Sequence, residues 1–212
     1  MPNALFFCHS VVGYWLFFAL LSATLSGCGR AFVPDPIDPR LPVYSEEGKR
    51  SAGCFINDDV WRSDGGGGTF SSNDDGLWIT FQSEDSTIHL TISGELPSNT
   101  DSRGESINVG FTLDNRQLSD DPAESISEIP QKAFVLDGQD NYGYLIRNFD
   151  DTVATFGAGQ LILRRILLDQ ETTFNASYIV AGTFSFTATS DSLGLVDVSN
   201  GRFDYSVRES RK

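Results

Sequence analysis

The first 27 residues of this 212-residue chain contain no Asp, Glu, Lys or Arg. Basic residues are scarce overall: 15 Lys and Arg stand against 29 Asp and Glu, a formal charge of −14. A surface of that sign repels phosphate backbones, which sets nucleic acid aside as a partner. Histidine is nearly missing. Only His89 lies beyond the amino-terminal apolar run, too few for a histidine-rich zinc site. The three cysteines, Cys8, Cys28 and Cys54, form no CxxC pair. There is no G-x-S-x-G, so a serine triad has no local support. The run DGGGGTF, 64–70, lacks the GK[ST] that cradles phosphates. The turns NDD, NDDG and DGQDN carry carboxylates but none has D-x-[DN]-x-[DN]-G calcium-loop spacing, and turns favour these residues for backbone reasons. The expectation is therefore no metal, no cofactor and no catalytic residue that a motif singles out.

What is present begins with an apolar stretch, VVGYWLFFALLSATL, Val11 to Leu25, shorter than the roughly 20 residues of a spanning helix. It closes on small residues, as a signal peptide does. The tetrad Leu25-Ser26-Gly27-Cys28 resembles the bacterial lipobox, in which the cysteine thiol takes a diacylglyceryl group and becomes residue one after cleavage. The first ten residues, MPNALFFCHS, depart from the usual pattern in lacking Lys and Arg. The resemblance implies a signal peptide over 1–27 and lipidation of Cys28, with two or three acyl chains giving stable membrane anchoring. The rival readings are an uncleaved anchor and a secreted protein in which Cys28 pairs with Cys54. With Cys28 lipidated, Cys54 is left alone in SAGCFIN and reads as a small buried hydrophobe.

Residues 28–50 hold four prolines and little apolar periodicity, and read as an extended tether. From Ser51 to Lys212 the pattern is that of one all-β domain. Apolar residues alternate in LWITFQS, STIHLTIS, INVGFTL, GTFSFTAT and GRFDYSV, the period-two signature of half-buried strands. His89 falls on the polar face of its strand and reads as exposed. KAFVLD and YGYLIRN flank a turn at DGQDN, and further turns fall at 57–59, 73–76, 190–192 and 199–201. QLILRRILLD, 160–169, allows a helix by spacing, but its position between Gly159 and a polar turn favours a strand. PAESISEIP, 122–130, reads as a helical turn. Many short strands with regular turns predict an antiparallel β-sandwich, with a calycin-like β-barrel as the alternative.

Two segments carry a resemblance. YIVAGTFSFTATSDSLGLVDVSNGRFDYSV, Tyr178 to Val207, resembles the carboxy-terminal signature of a group of uncharacterised Bacteroidota lipoproteins. SAGCFINDDVW, Ser51 to Trp61, resembles their opening hairpin. The resemblance implies a lipid-anchored all-β envelope domain and supplies no catalytic residues. Asp85-Ser86-Thr87, Asp151-Thr152-Val153 and Asp191-Ser192-Leu193 match the O-glycosylation acceptor pattern of Bacteroidota, naming Ser86, Thr152 and Ser192. The functional expectation is a non-catalytic domain, held at the bacterial outer membrane through its lipid, that offers loops to a glycan or envelope protein. A carrier of a small apolar ligand is the alternative. An envelope hydrolase using a carboxylate pair comes third.

Overall fold

The computed structural model describes residues 35–36, 38–63, 76–96, 105–117, 123–147, 151–173 and 175–210. Cys28, the signal segment and the glycine-rich run 64–70 lie outside them. Ten strands follow one another: β1 (Ser51–Ile56), β2 (Asp59–Ser63), β3 (Leu77–Gln82), β4 (Thr87–Leu96) and β5 (Glu105–Asp114), then β6 (Ala133–Asp137), β7 (Tyr142–Arg147), β8 (Asp151–Glu171), β9 (Asn175–Ser190) and β10 (Gly194–Ser210). No α-helix occurs among the described residues, and none of their helices is long and apolar enough to cross a membrane. The helical turn expected at 122–130 is a single 3₁₀ turn, Ile126–Glu128, capped reciprocally by Ser125 and Glu128.

The strands form one antiparallel sheet in the order β2-β1-β10-β9-β8-β7-β5-β4-β3. β7 and β6 lie in line along the same edge of β8, opposite 151–157 and 158–162 respectively. They behave as one strand broken at DGQDN, where the Asp137 carboxylate accepts the backbone N–H of Gln139 and Asn141. The sheet is strongly curled. β5 and β9 are three strands apart, about 14 Å along a flat sheet, yet the Phe111 and Phe184 ring centroids are 5.2 Å apart. They meet across the interior, as residues on the two layers of a sandwich do. The sheet also closes near its ends: Arg62 of the end strand β2 pairs with Glu95 of β4, the strand next to the other end. Sandwich-like packing and barrel-like closure coexist in this antiparallel all-β fold.

Alternation translates directly into burial. Ile88, Leu90 and Ile92 face inward with Ile107, Val109, Phe111 and Leu113, and so do Phe184, Phe186, Phe203 and Tyr205. Trp61 closes the core and donates its indole N–H to the Ile107 carbonyl at 2.7 Å. Cys54 is the buried hydrophobe expected, its thiol pushed well above the ordinary range by desolvation.

QLILRRILLD is the strand expected, lying within β8, and two other expectations need correction. The helix-like spacing of QLILRRILLD comes from a register irregularity between Leu163 and Arg165. Leu161 and Leu163 face the core, the bulge adds a residue, and Ile166 then faces inward too. SNG, 199–201, is no turn but a bulge inside β10, with Asn200 at φ +53°. Finally, the segment read as a tether docks on the sheet through described residues, Asp35 and Pro42 among them being buried. Leu41 is fully buried, and the Asp204 carboxylate, itself buried, binds the stretch after it. It accepts the Ser45 hydroxyl at 2.6 Å and the backbone N–H of Glu47, Gly48 and Lys49 at 3.2, 2.7 and 3.0 Å. Proline-rich composition removed periodicity but not the capacity to dock.

Candidate binding site on the outer wall

Because β3, β4, β5 and β7 point alternate residues inward, the remaining residues form rows across the outer wall. One row, by strand register, is Trp78, Thr91, Gly110 and Tyr144. The next is Thr80, His89, Thr112 and Tyr142. Aromatic rings thus flank a middle of hydroxyls and one imidazole. Gly110 makes this possible: a Cβ there would sit 2.1 Å from Tyr144 ring atoms, so the ring lies flat over bare backbone. Its hydroxyl reaches Thr91 Oγ1 at 3.1 Å. Burial raises the Tyr144 pKa.

The aromatic edge continues onto β8. Phe156 is 59% exposed and meets Tyr142 in a tilted ring contact, centroids 5.2 Å apart and planes at 49°. Tyr142 in turn lies 6.2 Å from Tyr144. Phe156 has φ +52°, a left-handed conformation rare for a bulky side chain, at an irregularity between Thr155 and Ala158. Such strain costs on the order of 1–3 kcal/mol and persists only where the surroundings over-determine it. Here the bulge turns an aromatic ring toward solvent.

His89 is half-buried rather than exposed. Thr87 Oγ1 donates to Asp85 Oδ1 at 2.6 Å, so it accepts from His89 Nε2–H at 3.1 Å. That leaves Nδ1 to accept the Thr112 hydroxyl at 3.1 Å, a neutral tautomer inferred from the network. Burial holds the imidazole below the ordinary histidine range, and the Asp85 charge opposes this. One row further on, Ser93 donates to Asn108 Oδ1 at 2.7 Å, while the buried Asn108 Nδ2 has no hydrogen-bond partner among the described residues.

The sequence named other positions. Thr152 and Ser192 are exposed, at the start of β8 and in the β9–β10 turn. Register places both at one end of the sheet. Ser86 is half-buried at φ +55° in the β3–β4 turn at the opposite end. The three are not one site. No group of three or more His, Cys, Asp or Glu suited to a metal occurs among the described residues. The outer wall was missed because each of its strands, taken singly, shows only an ordinary polar face; the YGY spacing was the one available signal. No protein-family model, curated protein or solved structure matches the chain.

Proposed function

We propose that this chain is a non-catalytic, lipid-anchored binding domain of a bacterial cell envelope, and that its outer wall holds a glycan chain. Phe156, turned outward on a strained backbone and set against the Tyr142 ring, is the observation that carries this reading. Sugars offer C–H faces to aromatic rings and hydroxyls to hydroxyls, and the wall has aromatic flanks around the hydroxyls of Thr80 and Thr91. From β3 to β8 it spans about 19 Å at the usual strand spacing, room for several sugar rings in a line. The lipobox at Cys28 supports the anchor and the outer-membrane location.

The apolar-carrier reading draws support from the β2–β4 closure. Against it stand Phe111, Phe184, Phe186 and Phe203, whose rings pack on one another inside at 5.2–6.3 Å. Affinity electrophoresis in gels containing neutral polysaccharides tests the glycan reading. Retardation by at least one polysaccharide, lost in Tyr142→Ala and Phe156→Ala, is expected. Identical mobility of the wild type in all gels, with stoichiometric uptake of a hydrophobic dye, would favour the carrier. For the anchor, Cys28→Ser is expected to abolish metabolic palmitate labelling; persistent labelling would refute it. Mass spectrometry of native protein is expected to find sugar at Ser86, Thr152 or Ser192, and bare peptides at all three would end that expectation.

A further inference from the structure

On a different face, Asp35, Asp38, Tyr44 and Glu46 of the docked segment and the outer surface of β8, β9 and β10 border an open cleft of about 970 Å³. Its floor comes from adjacent strands in register: Gln160 lies opposite Ser185, and Ile162 opposite Thr183. Among the described residues the side chains of Gln160, Thr183 and Ser185 make no hydrogen bond, so their donors and acceptors face the cleft unused. The charges around them divide sharply. Asp35 is paired with Arg202, and Asp38 with Arg40 at 3.0 Å. Glu46 accepts the Tyr44 hydroxyl at 2.7 Å and lies 3.9 Å from Arg165. Arg164, beside Tyr44, has no carboxylate partner among the described residues.

We infer that this cleft is a second ligand site, for a sugar bearing a carboxylate, such as a uronic acid residue. Every carboxylate lining the cleft is already matched, so a cationic ligand would have to break an existing pair. Among the described residues lining the cleft, the one charge without an opposite partner is the Arg164 guanidinium, whose planar fork suits a carboxylate bidentately. The amide and hydroxyls of Gln160, Thr183 and Ser185 suit the hydroxyls of the same sugar ring. The chain's overall negative charge does not oppose this strongly, because surface charges beyond about 8 Å are screened at physiological salt. Recognition is set by the groups in the cleft.

The test is calorimetric titration of the full chain with trigalacturonate, its methyl ester, acetate and a neutral trisaccharide. Trigalacturonate is expected to bind. The ester is expected to bind about 10–100-fold more weakly, the loss typical of one charge-assisted hydrogen-bonding contact. Arg164→Gln removes the difference between acid and ester, Arg164→Lys restores part of it, and Ser185→Ala weakens both. Acetate does not compete, since it lacks the ring hydroxyls. Equal affinity for acid and ester, effective competition by acetate, binding unaffected by Arg164→Gln, or no binding of trigalacturonate would each overturn the inference. Tyr142→Ala leaves this binding intact, so failure here and failure of the outer-wall reading are separately visible.

Discussion

Two aromatic pairs in this molecule have the same spacing and opposite surroundings. Phe111 and Phe184 meet inside at 5.2 Å, both almost wholly buried; Tyr142 and Phe156 meet outside at 5.2 Å, with Phe156 mostly in solvent. Between the interior and Tyr142–Phe156 lies a wall one backbone thick. Gly143 and Gly157 are paired there, and the Phe186 ring presses on both from inside. Ring contact alone therefore says nothing about role. The inner pair gains by leaving water, whereas the outer pair keeps its exposure at the expense of an unfavourable φ at Phe156. That cost, met at a ring facing solvent, is why the proposed glycan surface is centred on Phe156.

The largest test of this contrast is Phe184→Ala. Losing a core ring is expected to destabilise by about 3–5 kcal/mol in urea unfolding. A loss below about 1.5 kcal/mol would show that the ring borders empty space rather than packed neighbours. Next comes Asp204→Ala, which strips the partners from three backbone N–H groups and the Ser45 hydroxyl. About 2–3 kcal/mol is expected, together with faster proteolysis of the docked segment around Leu41. Gly157→Ala probes the thin wall itself, since a Cβ there would lie 2.5 Å from the Phe186 ring. Overpacking of that kind is expected to cost about 1–3 kcal/mol.

Acidification supplies a smaller effect. His89 is held neutral by burial, so its folded pKa lies below the unfolded one. The stability this contributes is present in full above the unfolded value of about 6.5, and is lost as pH falls through the lower folded value. His89→Gln is expected to flatten the stability-against-pH curve in that window; an unchanged slope would mean another group is responsible. Smallest of all is Phe156→Asn. Asparagine accepts a left-handed backbone, so stability is expected to stay within about 0.5 kcal/mol of wild type or rise slightly, while retention on glycan gels disappears. Marked destabilisation would place Phe156 with the structural rings after all.

Much of the fold was readable because alternation is a local property. Ile88, Leu90 and Ile92, or Phe203, Tyr205 and Val207, declare their buried face within a few residues. Where a bulge intervenes, the local pattern becomes ambiguous or misleading for a definite reason. An added residue at Leu163–Arg165 makes inward positions 161, 163 and 166 imitate helical spacing, and the one after Val198 makes SNG imitate a turn. The docked segment was misread because docking rests on Asp204, more than 150 residues away in sequence. The outer wall and the cleft were invisible for the same reason: Trp78 and Tyr144 share a row only through two intervening strands.

Composition and pattern alone established an antiparallel all-β chain, an acidic surface, an inert buried Cys54, and the inward face of nearly every strand. These follow from side-chain chemistry and the two-residue repeat of a pleated backbone, which need no knowledge of neighbours. Where β2 meets β4, which carboxylate holds the docked segment and which guanidinium lacks a carboxylate partner among the described residues were settled by tertiary structure. Those outcomes depend on register between distant strands, and register is fixed by the packing of the whole core rather than by any single segment.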